Sequence, residues 1–294
     1  MTANQIKTNR DYSQLLRSMG IMTWREGWKS QRKSSGGKSD ASLIKKAEGL
    51  KNSASSLKDL TELVSLYENI LEFQPENQNV LAELGSHCAL IGYGYAETKK
   101  EKEVYLLKAL HYCEQLMFLD QKFQASVNRG ETVWQACGQL PKEKMEPMWW
   151  WYMAGAAYWK ECRGALGRIL NIRWAFRAKK VLQIMFDINS EWQHGTPYYA
   201  MAVYYSQAPG FAGGSIEKAE ALFEQAIQRG PTMLNFRRSR ALFLHTKTKD
   251  KAQFEKDLRW VLKQQPDAEG LSCAWNVFLQ KDAQRALDNM DQFF

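Results

Sequence analysis

Between residues 160 and 180 the chain carries seven Lys or Arg against one acidic residue, Glu161. Arg163, Arg168, Arg173, Arg177 and Lys180 belong to this cluster, and Arg173, Arg177 and Lys180 recur at i, i+4, i+7, one face of a helix. A guanidinium presents a planar fork of N–H donors that grips a carboxylate or phosphate in pairs. The cluster therefore reads as a site for an anionic ligand or an acidic protein surface, with a solvated helix face as the plain alternative. Just upstream runs the apolar segment MWWWYMAGAAYW, Met148 to Trp159. Trp149, Tyr152, Ala156 and Trp159 fall on one helical face, while Trp151, Gly155 and Tyr158 fall on another. Only one aromatic face is needed to stack helices, so the surplus face either lines a groove or covers an inserted segment. Tyr199, Phe236 and Phe243 would take the corresponding groove positions further along, as would Ala82, Ser86 and Val203. An apolar pocket with a few polar handles is the usual form of a small-ligand or peptide site; the alternative is that these rings are core.

Other chemistries find no support. The four His (His87, His111, His194, His245) are scattered, and the five Cys are widely and irregularly spaced without a C-x-x-C pair. A structural zinc site needs four converging ligands with short paired spacings, so no metal is expected, and the thiols read as free and buried. His194-Gly195 reads as a turn between helices. Gly210 to Ser215 opens a helix but lacks the G-x-x-x-x-G-K-[ST] order of a phosphate loop, so its glycines are expected to make a tight turn rather than hold a cofactor. No Ser/His/Asp set, nucleophile elbow or HExxH motif occurs. The expectation is a protein that binds and does not catalyse.

These residues must be carried by helices. The chain has 294 residues, and beyond residue 41 its pattern is helical almost throughout. The clearest unit is Gly214-Ser215-Ile216-Glu217-Lys218-Ala219-Glu220-Ala221-Leu222-Phe223-Glu224-Gln225-Ala226, followed by Pro231. Ser215 is placed to cap the helix and Glu217 to suit its first turn. Ala219, Phe223 and Ala226 line one face, small-large-small, which lets a neighbouring helix come close. The phrase recurs as Phe254, Leu258 and Val261 before Pro266, 35 residues on, as Tyr67 and Ile70 before Pro75, as Ala109, Cys113 and Leu116 before Asp120, and as Ala178, Leu182 and Met185 before Ser190. First helices of such pairs show as Leu81, Leu84, Gly85, Cys88 and as Trp151, Ala154, Gly155, Tyr158. The period resembles the tetratricopeptide repeat of about 34 residues. The expected fold is all-α, an irregular α-solenoid of four helix pairs and a partial one starting near residue 44. Its central helices are elongated, with a charged insertion at Glu97 to Glu103 and helix continuing through Leu166 to Phe176.

The net charge of +8 is unevenly placed. Residues 1–50 hold 10 Lys or Arg and 4 Asp or Glu, whereas the remaining 244 residues hold 30 and 28. Residues 1–40 read as a basic arm: a short amphipathic helix on Tyr12, Leu15, Leu16 and Met19, then Trp24 and Trp28 among basic residues, then a Ser-Ser-Gly-Gly linker. Such an arm can touch a membrane surface or an acidic partner, or pack on its own body. Residues 41–294 form the helical-repeat domain. A nearly neutral body is a poor match for nucleic acid, and a 12-residue apolar run is too short for a bilayer that needs about 20. The first 20 residues contain Lys7, Arg10, Asp11 and Arg17 and no apolar core, so neither a secretory signal nor a lipid-attachment site is expected there.

The long aromatic and basic central unit followed by the Gly-Gly-Ser-Ile-Glu-Lys-Ala-Glu-Ala-Leu-Phe-Glu-Gln-Ala phrase resembles the T-component (TatT) family of tripartite ATP-independent periplasmic (TRAP) transporters. The resemblance spans roughly residues 60–267 and is most specific from Thr196 to Pro231, where Pro-Tyr-Tyr-Ala, an aromatic-rich helix, Pro-Gly-Phe-Ala-Gly-Gly and the repeat phrase follow in family order. It implies a repeat protein of the periplasm, often lipid-anchored, that works beside a substrate-binding protein and a membrane transporter. The start of this sequence departs from that pattern and favours a cytoplasmic adaptor for a peptide or acidic protein. Self-association is expected on either reading, because repeat arrays expose large helical faces.

Overall fold

The computed structural model describes residues 41–164, 173–267 and 270–294. The arm of residues 1–40, Arg168 and most of Leu166 to Phe176 lie outside them. Every regular element among the described residues is helical, and none of these helices is long and apolar enough to cross a membrane. The described residues divide into two compact units, those within 1–51 and 57–181, and those within 52–56 and 182–294.

The first unit holds α1 (Ala41–Ser53), α2 (Leu57–Phe73), α3 (Gln78–Leu90), α4 (Lys99–Phe118), α5 (Gln121–Asn128) and α6 (Met145–Ala157). Its helix starts are written in the sequence. The Asn77 side chain accepts from the Val80 amide, Asp120 accepts from the Lys122 and Phe123 amides, and Thr98 and Glu101 form a reciprocal capping box. That box turns the expected charged insertion at Glu97 to Glu103 into the capped first turn of α4. Small residues set the packing. A Cβ on Gly85 would meet the Cys113 Sγ at 2.7 Å, and one on Gly92 would meet Leu106 Cγ at 2.6 Å. The later residue of one pair thus faces the earlier residue of the other, so α3 and α4 run antiparallel in close contact. α6 lies antiparallel on α4 in turn: Trp151 Nε1 donates to the buried Glu114 carboxylate at 2.9 Å, and Tyr158 donates to Glu103 at 3.1 Å. Trp151, Tyr158, Phe123, Leu60, Leu63 and Leu81 are fully buried, each such side chain contributing about 1.5–3 kcal/mol of transfer free energy.

α7 (Arg173–Asn189) begins in the first unit and ends in the second. The second unit continues with α8 (Trp192–Gln207), α9 (Ile216–Arg229), α10 (Leu234–Arg240), α11 (Lys251–Leu262) and α12 (Cys273–Asp288). The repeat phrase forms α9. The Ser215 hydroxyl accepts from the Lys218 amide, and Ala219, Phe223 and Ala226 are the buried stripe. α9 packs antiparallel on α8, where Gly195 meets Arg229 and Tyr199 meets Phe223. The loop before α9 is tight for a steric reason. Gly213 has φ 85°, and a Cβ on Gly214 would sit 1.9 Å from the Ala208 carbonyl oxygen. At the start of α8 three consecutive residues, Gln193, His194 and Gly195, take left-handed backbone angles. The Arg229 side chain locks that turn, bonding Glu191, the Gln225 carbonyl and the Tyr198 hydroxyl. His194 itself is exposed.

Among the described residues three helices end in the same way. A π turn closes α3 at Ile91–Tyr95, α6 at Tyr158–Cys162 and α10 at Ala241–His245. Such wide turns are uncommon and frequent at functional sites.

Candidate functional site

The aromatic segment is α6 and its closing turn. Within Met148 to Tyr158 every side chain is buried except Met153 and Ala156, which are half-buried. Trp149 and Tyr152 belong to the buried set, with ring centroids 5.8 Å apart. Trp159 is half-buried. Two neighbouring glutamates respond to this packing. Burial raises the Glu146 pKa above the usual carboxylate range despite a hydrogen bond from Trp150, and Glu114, 5% exposed, anchors Trp151. The expected groove positions on α3, Ala82 and Ser86, are half-buried as well.

The basic cluster begins on the turn after α6. Arg163 is half-buried, with its guanidinium carbon 5.2 Å from the Tyr158 ring centroid. Glu161 pairs with Lys102 at 3.1 Å and lies 4.0 Å from Lys160. On α7, Arg177 lies over the Trp134 ring at 4.1 Å, and Lys180 is exposed. The backbone of Arg173 starts α7. Arg163, Arg177 and Lys180 are thus placed in the first unit with the aromatic helix.

The remaining aromatics belong to the second unit. Tyr199 stacks on Phe236 with centroids 4.9 Å apart and 24° between planes, and its hydroxyl lies 3.2 Å from Ser239 Oγ. Both rings are buried. Phe243 is half-buried on the π turn after α10, with the Arg238 guanidinium 5.8 Å from its centroid.

One constellation escaped the reading of the sequence. Asp257, fully buried on α11, accepts two hydrogen bonds from Arg240 at 2.7 Å each. Arg237 approaches at 3.4 Å and His245 Nε2 at 3.3 Å. Burial alone would raise the Asp257 pKa, but the hydrogen bonds and charges of Arg240 and His245 outweigh it and hold the carboxyl below its usual range. A signal for it was present. Asp257 sits three residues after Phe254 and four before Val261, inside the apolar stripe of its helix.

The Cys88, Cys113 and Cys137 thiols are fully buried and burial pushes them up; that of Cys162 is pushed up to about 11. None of these is poised as a nucleophile.

A family model described as the TRAP transporter T-component matches residues 60–294. Among curated proteins none matches the chain.

Proposed function

The chain belongs to the TRAP transporter T-component family, and on that premise we propose that it is a non-catalytic accessory protein that docks another component of its transporter. The family match carries this reading. The dock is the basic cluster of Arg163, Arg177 and Lys180, with Arg168 and Arg173 between them in sequence, and it meets an acidic surface, such as that of a substrate-binding subunit. The helix pairs are read as an irregular tetratricopeptide-type solenoid. Half-buried positions on first helices of the first unit (Ala82, Ser86, Ala156 and Trp159) form the rim of a groove for a small hydrophobic or anionic ligand, over a floor of Trp149 and Tyr152, and Tyr199, Phe236 and Phe243 hold the corresponding positions of the second unit. Self-association through helical faces accompanies this role. Support comes from the mixture of aromatic and guanidinium groups around α6 and α7, a composition typical of binding surfaces, and from an Arg177 held over Trp134 in a defined geometry.

The test is capture of the transporter's substrate-binding and membrane components by the full chain, co-expressed with them. Capture is expected to weaken as salt is raised, because charges in water are screened beyond about 10 Å at 0.1 M. Lys179→Glu with Lys180→Glu is expected to lower it about tenfold, corresponding to about 1.4 kcal/mol. Failure to recover any transporter component, or recovery indifferent to both changes, would sink the docking reading.

A further inference from the structure

The unburied side of α6 and its turn forms a single stripe. Met153 and Ala156 are half-buried, Trp159 and Arg163 follow on the π turn and just beyond it, and Lys160 is exposed beside them. At a rise of 1.5 Å per residue, Met153 to Arg163 spans roughly 15 Å. The stripe is apolar at one end and cationic at the other.

Two donors at the cationic end find no acceptor among the described residues. Trp159 Nε1 and Arg163 Nε are each shielded from water, and neither has a hydrogen-bond partner among the described residues. A buried donor without an acceptor forfeits its hydration and gains nothing in return, which is why folded proteins pair nearly all of them. Here two occur four residues apart, one on the π turn and one just beyond it. The indole and the guanidinium are donor-only groups, so each is complemented by a group that only accepts. The nearby carboxylates are engaged elsewhere: Glu161 with Lys102 and Lys160, and Glu103 with the Tyr158 hydroxyl. Arg163 faces the Tyr158 ring.

We propose that the Met153–Arg163 face binds a small amphipathic oxyanion, a carboxylate or phosphate monoester with an apolar body. Its oxygens accept from Trp159 Nε1–H and Arg163 Nε–H, and its apolar body lies along Ala156 and Met153. Methionine suits the second task, being flexible and polarisable enough to fit varied apolar shapes. This inference rests on the groove half of the proposed function; it shares Arg163 with the docking half, which is tested separately on Lys179 and Lys180.

The experiment is calorimetric titration of the full chain with decanoate, decyl phosphate and decanol, below their aggregation limits. At least one anion is expected to bind tenfold or more tightly than decanol, and the preferred anion separates carboxylate from phosphate recognition. Trp159→Phe keeps a ring and removes only the N–H; it is expected to weaken anion binding three- to tenfold. Arg163→Gln is expected to weaken it tenfold or more, and neither change should alter decanol binding. Anions that bind no better than decanol, that do not bind, or that bind both variants as well as the parent overturn the proposal. A melting curve of Trp159→Phe is a second check: the midpoint should hold or rise, since an unpaired donor is removed. A marked fall would show that Nε1 is bonded within the protein, and would also overturn it.

Discussion

Asp257 is a fully buried charge of the second unit, paired with Arg240 and Arg237. A buried carboxylate with two guanidiniums and an imidazole around it is costly to break, because the cations stay behind without their counter-charge. Asp257→Ala is expected to destabilise the protein by about 3 kcal/mol, measured by urea unfolding. The pH dependence has a definite sign. The folded carboxyl titrates below its model value of 3.8, so its contribution is complete above that value and is lost as pH falls through the lower, folded pKa. Stability should therefore decline below about pH 4, and Asp257→Asn should flatten that part of the profile; an unchanged acid limb would count against the network. Its four members lie scattered between residues 237 and 257, and charged residues on a helix usually face water. Only the position of Asp257 within the stripe of Phe254, Leu258 and Val261 betrayed it. Trp149, Tyr152, Tyr199 and Phe236 were legible as a set of aromatic positions, but helical periodicity does not say whether such a face ends against protein or solvent.

Elements were far more legible. A small-large-small stripe with a 3.6-residue period and a polar cap leaves little choice but a helix packed closely on its neighbour, and α9 is built in that way. Close approach makes a sharp test. Gly85→Ala should cost about 1–3 kcal/mol by overpacking against the Cys113 sulfur. Combined with Cys113→Ala, which removes that sulfur, the loss should fall short of the sum of the single changes by about 1 kcal/mol or more; strictly additive losses would mean that the helices can slide apart. The turn into α8 was less legible. His194-Gly195 reads as a turn, but nothing in residue types requires three left-handed residues in succession; the grip of Arg229 on Glu191, Tyr198 and Gln225 does. A non-glycine residue in that region costs about 1–2 kcal/mol. His194→Gly, at φ 57°, should stabilise by about 0.5–1 kcal/mol in thermal unfolding; a lowered midpoint would count against strain at this turn. The π turns were invisible, because one extra residue in a helical turn leaves the apolar pattern nearly unchanged.

At the scale of the whole molecule, the excess of positive charge resolves into residues 1–50 and residues 160–180, the remainder being slightly acidic. The division into two units is unevenly marked: after Lys51 it coincides with Asn52-Ser53-Ala54-Ser55-Ser56, whereas at Val181 composition gives no herald and α7 simply runs through it. The thiols, set aside as inert packing, follow this division. Cys88, Cys113, Cys137 and Cys162 are buried in the first unit, whereas the second has the half-buried Cys273. A buried thiol reacts with an alkylating reagent only when its surroundings open, so its labelling rate measures the free energy of that opening. Cys273 should label first, and Gly85→Ala should speed labelling of Cys113 well beyond that of Cys273; equal acceleration of both would mean that the strain is not confined to the first unit. The sulfur wedged against Gly85 is thus a resident gauge, recording without any added probe how often that helix pair breathes.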